Sequence, residues 1–137
     1  MPCFAVAAVY SGEQNGSNQM LLFPNFMFGN NSKNLPAGQV KQLSDLVTIQ
    51  PGRVVSMALS ESEHCQMTLL AFADGESVSE ERYFGDTFYY VLEGEMPVQM
   101  DGQTILLKSG ECMSVPANVL HAVGGTKPFK LLQITIQ

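Results

Sequence analysis

The sequence predicts an all-β domain, an antiparallel sandwich or barrel. From residue 39 onward it is a succession of short apolar runs separated by turn signals, at the spacing of about 8 to 12 residues typical of such folds. No amphipathic stretch in that region is long enough for more than about two helical turns. Asp101-Gly102 separates two of the runs where a two-residue hairpin turn fits. At 137 residues the chain is one domain, and 45% apolar against 15% charged residues is enough for a core without disulfides or a structural metal.

Residues 1–38 are read as an N-terminal arm or covering segment and residues 39–137 as the barrel. Met1 to Tyr10 is mostly apolar, but no positive charge precedes it and it is far shorter than the roughly 20 residues that span a bilayer. A covering strand or ordered arm is therefore expected there. Residues 11–19 and 29–38 are polar, glycine-containing loops. Between them Met20 to Phe28 carries three phenylalanines and is expected to pack across the domain or against a second subunit. Met20 and Met27 are alternative starts. Val40 to Leu46 is the best helical candidate, at one or two turns.

Strands are expected at Val54–Leu59, Gln66–Ala73, Phe88–Leu92, Pro97–Met100, Thr104–Leu107, Cys112–Val115, Ala122–Val123 and Phe129–Ile136. In the run Thr87 to Leu92 alternate residues point to opposite sides, and both sides are apolar or aromatic. A strand coated on both faces needs cover on both, which the Met20–Phe28 segment and a homodimer would together supply.

Charge and residue counts narrow the function. Thirteen acidic against seven basic side chains leave about −6, with no Lys/Arg cluster, which argues against nucleic acid and anionic membrane surfaces as partners. Nine of the acidic residues, with Arg82 as the lone basic one, fall between Glu61 and Glu95, an acidic rim that disfavours anionic ligands. Cys3, Cys65 and Cys112 are irregularly spaced and read as reduced thiols of a cytoplasmic protein. With His64 and His121 alone, one chain cannot assemble a site of three imidazoles, and the paired cysteines of zinc modules are missing.

Two spaced motifs lie between Gly75 and Gly125. The first runs Gly75, five residues, Glu81-Arg82-Tyr83, three residues, Thr87, six residues, Gly94, within the string FYYVLEGE. The second runs Gly110, five residues, Pro116-Ala117-Asn118, two residues, His121, three residues, Gly125, with fifteen residues between Gly94 and Gly110. Their spacing resembles the paired motifs of the cupin superfamily, small double-stranded β-helix (jelly-roll) proteins. The resemblance implies a cupin barrel with an N-terminal arm, and puts positions 81, 83, 87 and 121 at the cavity mouth where cupins usually hold a divalent metal.

The residues at those positions depart from the pattern. Where the family carries two histidines and a glutamate, this chain has Glu81, Tyr83 and Thr87, and His121 is the one usual ligand left. A threonine hydroxyl is a poor ligand, and a tyrosine must first lose a proton of pKa about 10. If a divalent metal is bound, Glu81, Asp86 and His121 are the candidate ligands. No cofactor is the expectation.

The favoured functional reading is a small-molecule ligand in the barrel cavity, lined by Glu81, Tyr83, Thr87, Tyr89 and His121. The alternative is an enzyme of isomerase, lyase or dioxygenase type, with an atypical Glu/Asp/His metal site or metal-free acid/base chemistry by His121 and Tyr83. His121 is also open to a purely structural role. Glu81 is expected to pair with His121, and one of Cys112 and Met113 to face the cavity.

Overall fold

The computed structural model describes residues 32–137 and the backbone of Ala8–Val9. Its strands are β1 (Ala8–Val9), β2 (Val54–Glu61), β3 (Cys65–Phe72), β4 (Ser77–Glu81), β5 (Asp86–Met100), β6 (Gln103–Lys108), β7 (Cys112–Val115), β8 (His121–Gly124) and β9 (Phe129–Ile136). One sheet runs β1-β2-β3-β9-β5-β7, all antiparallel except the short parallel β1–β2 contact. The other runs β4-β8-β5-β6. The two curl over one another as a jelly roll. The Met20–Phe28 segment lies outside the described residues.

β5 belongs to both sheets. Its first half pairs with β9 and β7, its second half with β6 and β8. The sequence pattern suggested two strands here, Phe88–Leu92 and Pro97–Met100, because the polar Glu93-Gly94-Glu95 interrupts the apolar alternation. The chain instead bends without leaving its partners. Register slips between Val91 and Glu93, and Gly94 takes φ +81° where a Cβ would lie 2.5 Å from the carbonyl oxygen of Pro128. One extra residue in a strand reverses which side chains face inward. Thr87, Tyr89 and Val91 are buried before the bend, Met96 and Val98 after it, so odd positions point inward first and even positions later.

Other boundaries follow from local chemistry. Met100 pairs with Gln103 across Asp101-Gly102, both at positive φ (56° and 73°), the two-residue turn whose twist matches the flanking strands. β4, which the sequence did not suggest, reads Ser-Val-Ser-Glu-Glu, and of these only Val78 is apolar. It is an edge strand, where charged side chains discourage pairing with other chains. The helical expectation at Val40–Leu46 reduces to a single 3-10 turn at Leu43–Asp45.

Two apolar clusters hold the layers. The interior cluster includes Leu70, Phe72, Tyr89, Val91, Met96, Val98, Phe129 and Leu131, with the Phe72 and Phe129 rings stacked at 4.5 Å. The second lies on the outside of the larger sheet, where Val47, Leu43, Leu46 and Ile49 cover Val55, Met57, Leu69, Ala71, Leu92 and Leu132. Residues 43–49 thus supply part of the outer cover that β5 needs. Lys130 pins this segment by donating to the Ser44 carbonyl at 2.6 Å while its ammonium lies 3.7 Å from Glu93. No helix among the described residues is long and apolar enough to cross a membrane.

Candidate functional site

Between the two sheets a cleft opens beside the end of β4 and the start of β8, opposite Tyr89 in the first half of β5. Its floor is apolar: Leu70 and Phe72 from β3, Leu131 from β9, Val78 from β4 and Val123 from β8. Its polar groups are Ser79, Glu81, Tyr83, Tyr89, His121 and Gln133. Strand period places them. Tyr89 and Gln133 are register partners on β5 and β9, and Glu81 and His121 are register partners on β4 and β8.

His121 is 3% exposed and both its ring nitrogens are engaged. Nδ1 lies 2.9 Å from the carbonyl oxygen of Val119, two residues earlier. A carbonyl only accepts, so Nδ1 carries the proton and, in the uncharged ring, Nε2 bears the lone pair. The Tyr89 hydroxyl, 2.7 Å away, donates to that lone pair. Burial pushes the Tyr89 phenol well above its ordinary value, and negative charge on Tyr83 or Glu81 would push it the same way. It therefore stays a donor. The Tyr83 and Tyr89 rings meet His121 edge-on at 5.9 and 5.7 Å.

Glu81 bonds to Tyr83 instead of His121. Burial raises its carboxyl above the ordinary carboxylate range, partly offset by the hydrogen bond from Tyr83, which favours the charged form. The loop carrying Tyr83 is tied to the loop before His121, because the Asn118 amide donates to the Tyr83 carbonyl at 2.8 Å. Asn118 sits at φ +67°, a left-handed conformation that asparagine tolerates better than most residues.

The remaining expected site residues lie elsewhere. Thr87 faces inward, 1% exposed, but does not border the cleft; its hydroxyl is 3.5 Å from that of Thr135. Asp86 points away and accepts a hydrogen bond from the Ala117 amide at 2.9 Å. Of Cys112 and Met113, the methionine packs against the interior cluster and the cysteine is exposed. His64 is exposed at the far end of β3. Sequence reasoning missed Gln133, because the alternation of β9 marks position 133 as inward but gives no sign that a cleft lies there.

This chain has the domain of a known family. Residues 68–135 match the model of the cupin domain. A cupin superfamily protein from Desulfitobacterium hafniense is 46% identical, with 78% of this chain and 98% of that one aligned at a TM-score of 0.75. The chain belongs to the cupin superfamily. A cupin 2 conserved barrel domain protein from Leptotrichia buccalis is 36% identical over 69% of this chain and 46% of that one, with a TM-score of 0.67. A conserved protein of unknown function from Streptococcus pyogenes shares the fold, at 20% identity and a TM-score of 0.76 over 80% of this chain and 96% of that one. No curated protein matches the chain.

At the positions where cupins usually hold a metal, each side chain already has a partner. His121 offers no free lone pair unless Tyr89 moves, Glu81 is bonded to Tyr83, and Thr87 is turned to Thr135. Among the described residues no three His, Cys, Asp or Glu side chains come close enough to hold a metal ion. The polar groups that line the cleft are two phenols, a carboxyl, an imidazole, an amide and a hydroxyl.

Proposed function

We propose that this cupin binds a small organic molecule in the cleft between its sheets, through Glu81, Tyr83, Tyr89 and His121 and without a tightly bound divalent metal. The observation that carries this reading is the engagement of both His121 nitrogens by Val119 and Tyr89, which converts the usual metal ligand into part of a hydrogen-bonded wall. An apolar floor with a few convergent polar groups is the usual composition of such a site. Metal-free acid/base chemistry at the same cleft is the second reading, favoured by two adjacent proton-sharing pairs, Tyr89 with His121 and Tyr83 with Glu81. The protein is further proposed to be a homodimer. Phe84 and Ile136 are exposed by 70% and 55% where the starts of β5 and the end of β9 approach closely at Gly85.

Elemental analysis of untagged protein, before and after addition of iron, zinc, nickel and manganese, is expected to show substoichiometric metal. Near-stoichiometric metal that disappears in His121→Ala would sink the reading. A small-molecule screen by melting temperature is expected to find shifts that Tyr83→Ala or His121→Ala removes. If both variants keep the full shift, the ligand sits elsewhere.

A further inference from the structure

Gln133 differs from the other buried polar groups at the cleft, Tyr89 and His121. It stands on the inward face of β9 between Leu131 and Thr135, 7% exposed. Tyr89 shares its proton with His121, and Tyr83 shares one with Glu81. The side-chain amide of Gln133 has no hydrogen-bond partner among the described residues. No fully enclosed side-chain nitrogen or oxygen among the described residues lacks a partner. The amide must therefore touch open space, and the space that Gln133 borders is the cleft. A ligand that fills the cleft takes this amide away from water, and an amide buried without a partner is unfavourable, so the ligand has to supply the partner.

Resting on the cleft being a ligand site, we propose that Gln133 recognises an uncharged ligand group that carries a hydrogen-bond donor and an acceptor side by side, as a lactam or primary amide does. Its carbonyl accepts and its NH2 donates, so the complementary partner offers one of each in the same plane. The neighbouring Tyr89 oxygen has its proton committed to His121 and faces a ligand as an acceptor, which adds a preference for a second donor. Charge selects in the same direction. No Lys or Arg lines the cleft and Glu81 does, so an anion would enter without a counter-charge. The floor of Leu70, Phe72, Val123 and Leu131 takes an apolar body behind the polar group.

The probes are 2-pyrrolidone, N-methyl-2-pyrrolidone, which lacks the donor, and acetate, which carries a charge. Each is titrated calorimetrically into the full chain and into Gln133→Leu. The lactam is expected to bind the wild type, and to bind Gln133→Leu about tenfold or more weakly, the factor that one lost hydrogen bond of about 1.4 kcal/mol gives. The N-methyl compound is expected to lose a similar factor on the wild type, and acetate not to saturate. Without ligand, Gln133→Leu is expected to melt above the wild type, because leucine needs no partner there, which also shows that the variant folds.

Equal lactam affinity for wild type and Gln133→Leu overturns the assignment, as does equal affinity of the wild type for all three probes or a lowered melting temperature in the variant. Lactam binding lost in Tyr83→Ala but kept in Gln133→Leu removes Gln133 and leaves the cleft standing. Binding that survives Tyr83→Ala, His121→Ala and Gln133→Leu removes the cleft as well. Absence of lactam binding to the wild type overturns the ligand class and leaves the cleft to its own melting-temperature screen.

Discussion

At His121 two hydrogen bonds fix a tautomer, and the second depends on a phenol that burial keeps protonated. Tyr89→Phe removes that donor and leaves Nε2 of a buried ring without a partner. A loss of about 1 to 3 kcal/mol is expected, read as a lower urea midpoint at neutral pH. The pH dependence carries a sign. The folded phenol holds its proton more tightly than the unfolded one, whose value is 10.0, so its contribution is complete below that pH. It is lost as pH rises beyond, where the unfolded chain ionises and the folded one resists. Wild-type urea midpoints are expected to fall more steeply above about pH 10 than those of Tyr89→Phe. Equal slopes would place the ionising tyrosine elsewhere.

The sequence marked Glu81, Tyr83 and His121 through motif spacing and Tyr89 through strand alternation, and all four border the cleft. Thr87 shared the same spacing and the same strand face but lies with Thr135, because spacing fixes a direction and not the place where packing leaves room. Gln133 was hidden for the converse reason. Its neighbours Leu131 and Thr135 make position 133 read as core.

Among the elements, β7 and β9 were legible to the residue, since each is short, alternating or β-branched and bounded by turn residues. β4 was not, because an edge strand with two glutamates and two serines has no apolar period to detect. The continuity of β5 was hidden by Glu93-Gly94-Glu95, a sequence that looks like a turn and is a bend. That makes Gly94 a test of the element. Alanine there would need a left-handed backbone at φ +81° and a Cβ 2.5 Å from the Pro128 oxygen. Gly94→Ala is expected to lower stability by at least about 2 kcal/mol in urea unfolding. A change within a few tenths of a kcal/mol would mean that the bend relaxes freely.

For the whole molecule, the apolar coating on both sides of β5 foretold covers on both sides: the interior cluster is one, and residues 43–49 are part of the other. A second subunit is the remainder of that outer cover that we propose. Sedimentation at micromolar concentration is expected to give twice the 14.9 kDa chain mass, and a species of 14.9 kDa would refute the dimer. The acidic stretch between Glu61 and Glu95 contributes to both the rim and the cleft, through Glu81, and biases the molecule against anions at its mouth.

The strand shared by the two sheets also governs how the chain comes apart. Since the first half of β5 is hydrogen-bonded to β9 and β7 and the second half to β6 and β8, neither sheet keeps its central strand once the other has opened. Amide protons of the two halves should therefore exchange through one common opening with one free energy, where separately closed sheets would show two. The same sharing makes formation slow, because β3 and β9 must meet across about half the chain before β5 has its full set of partners.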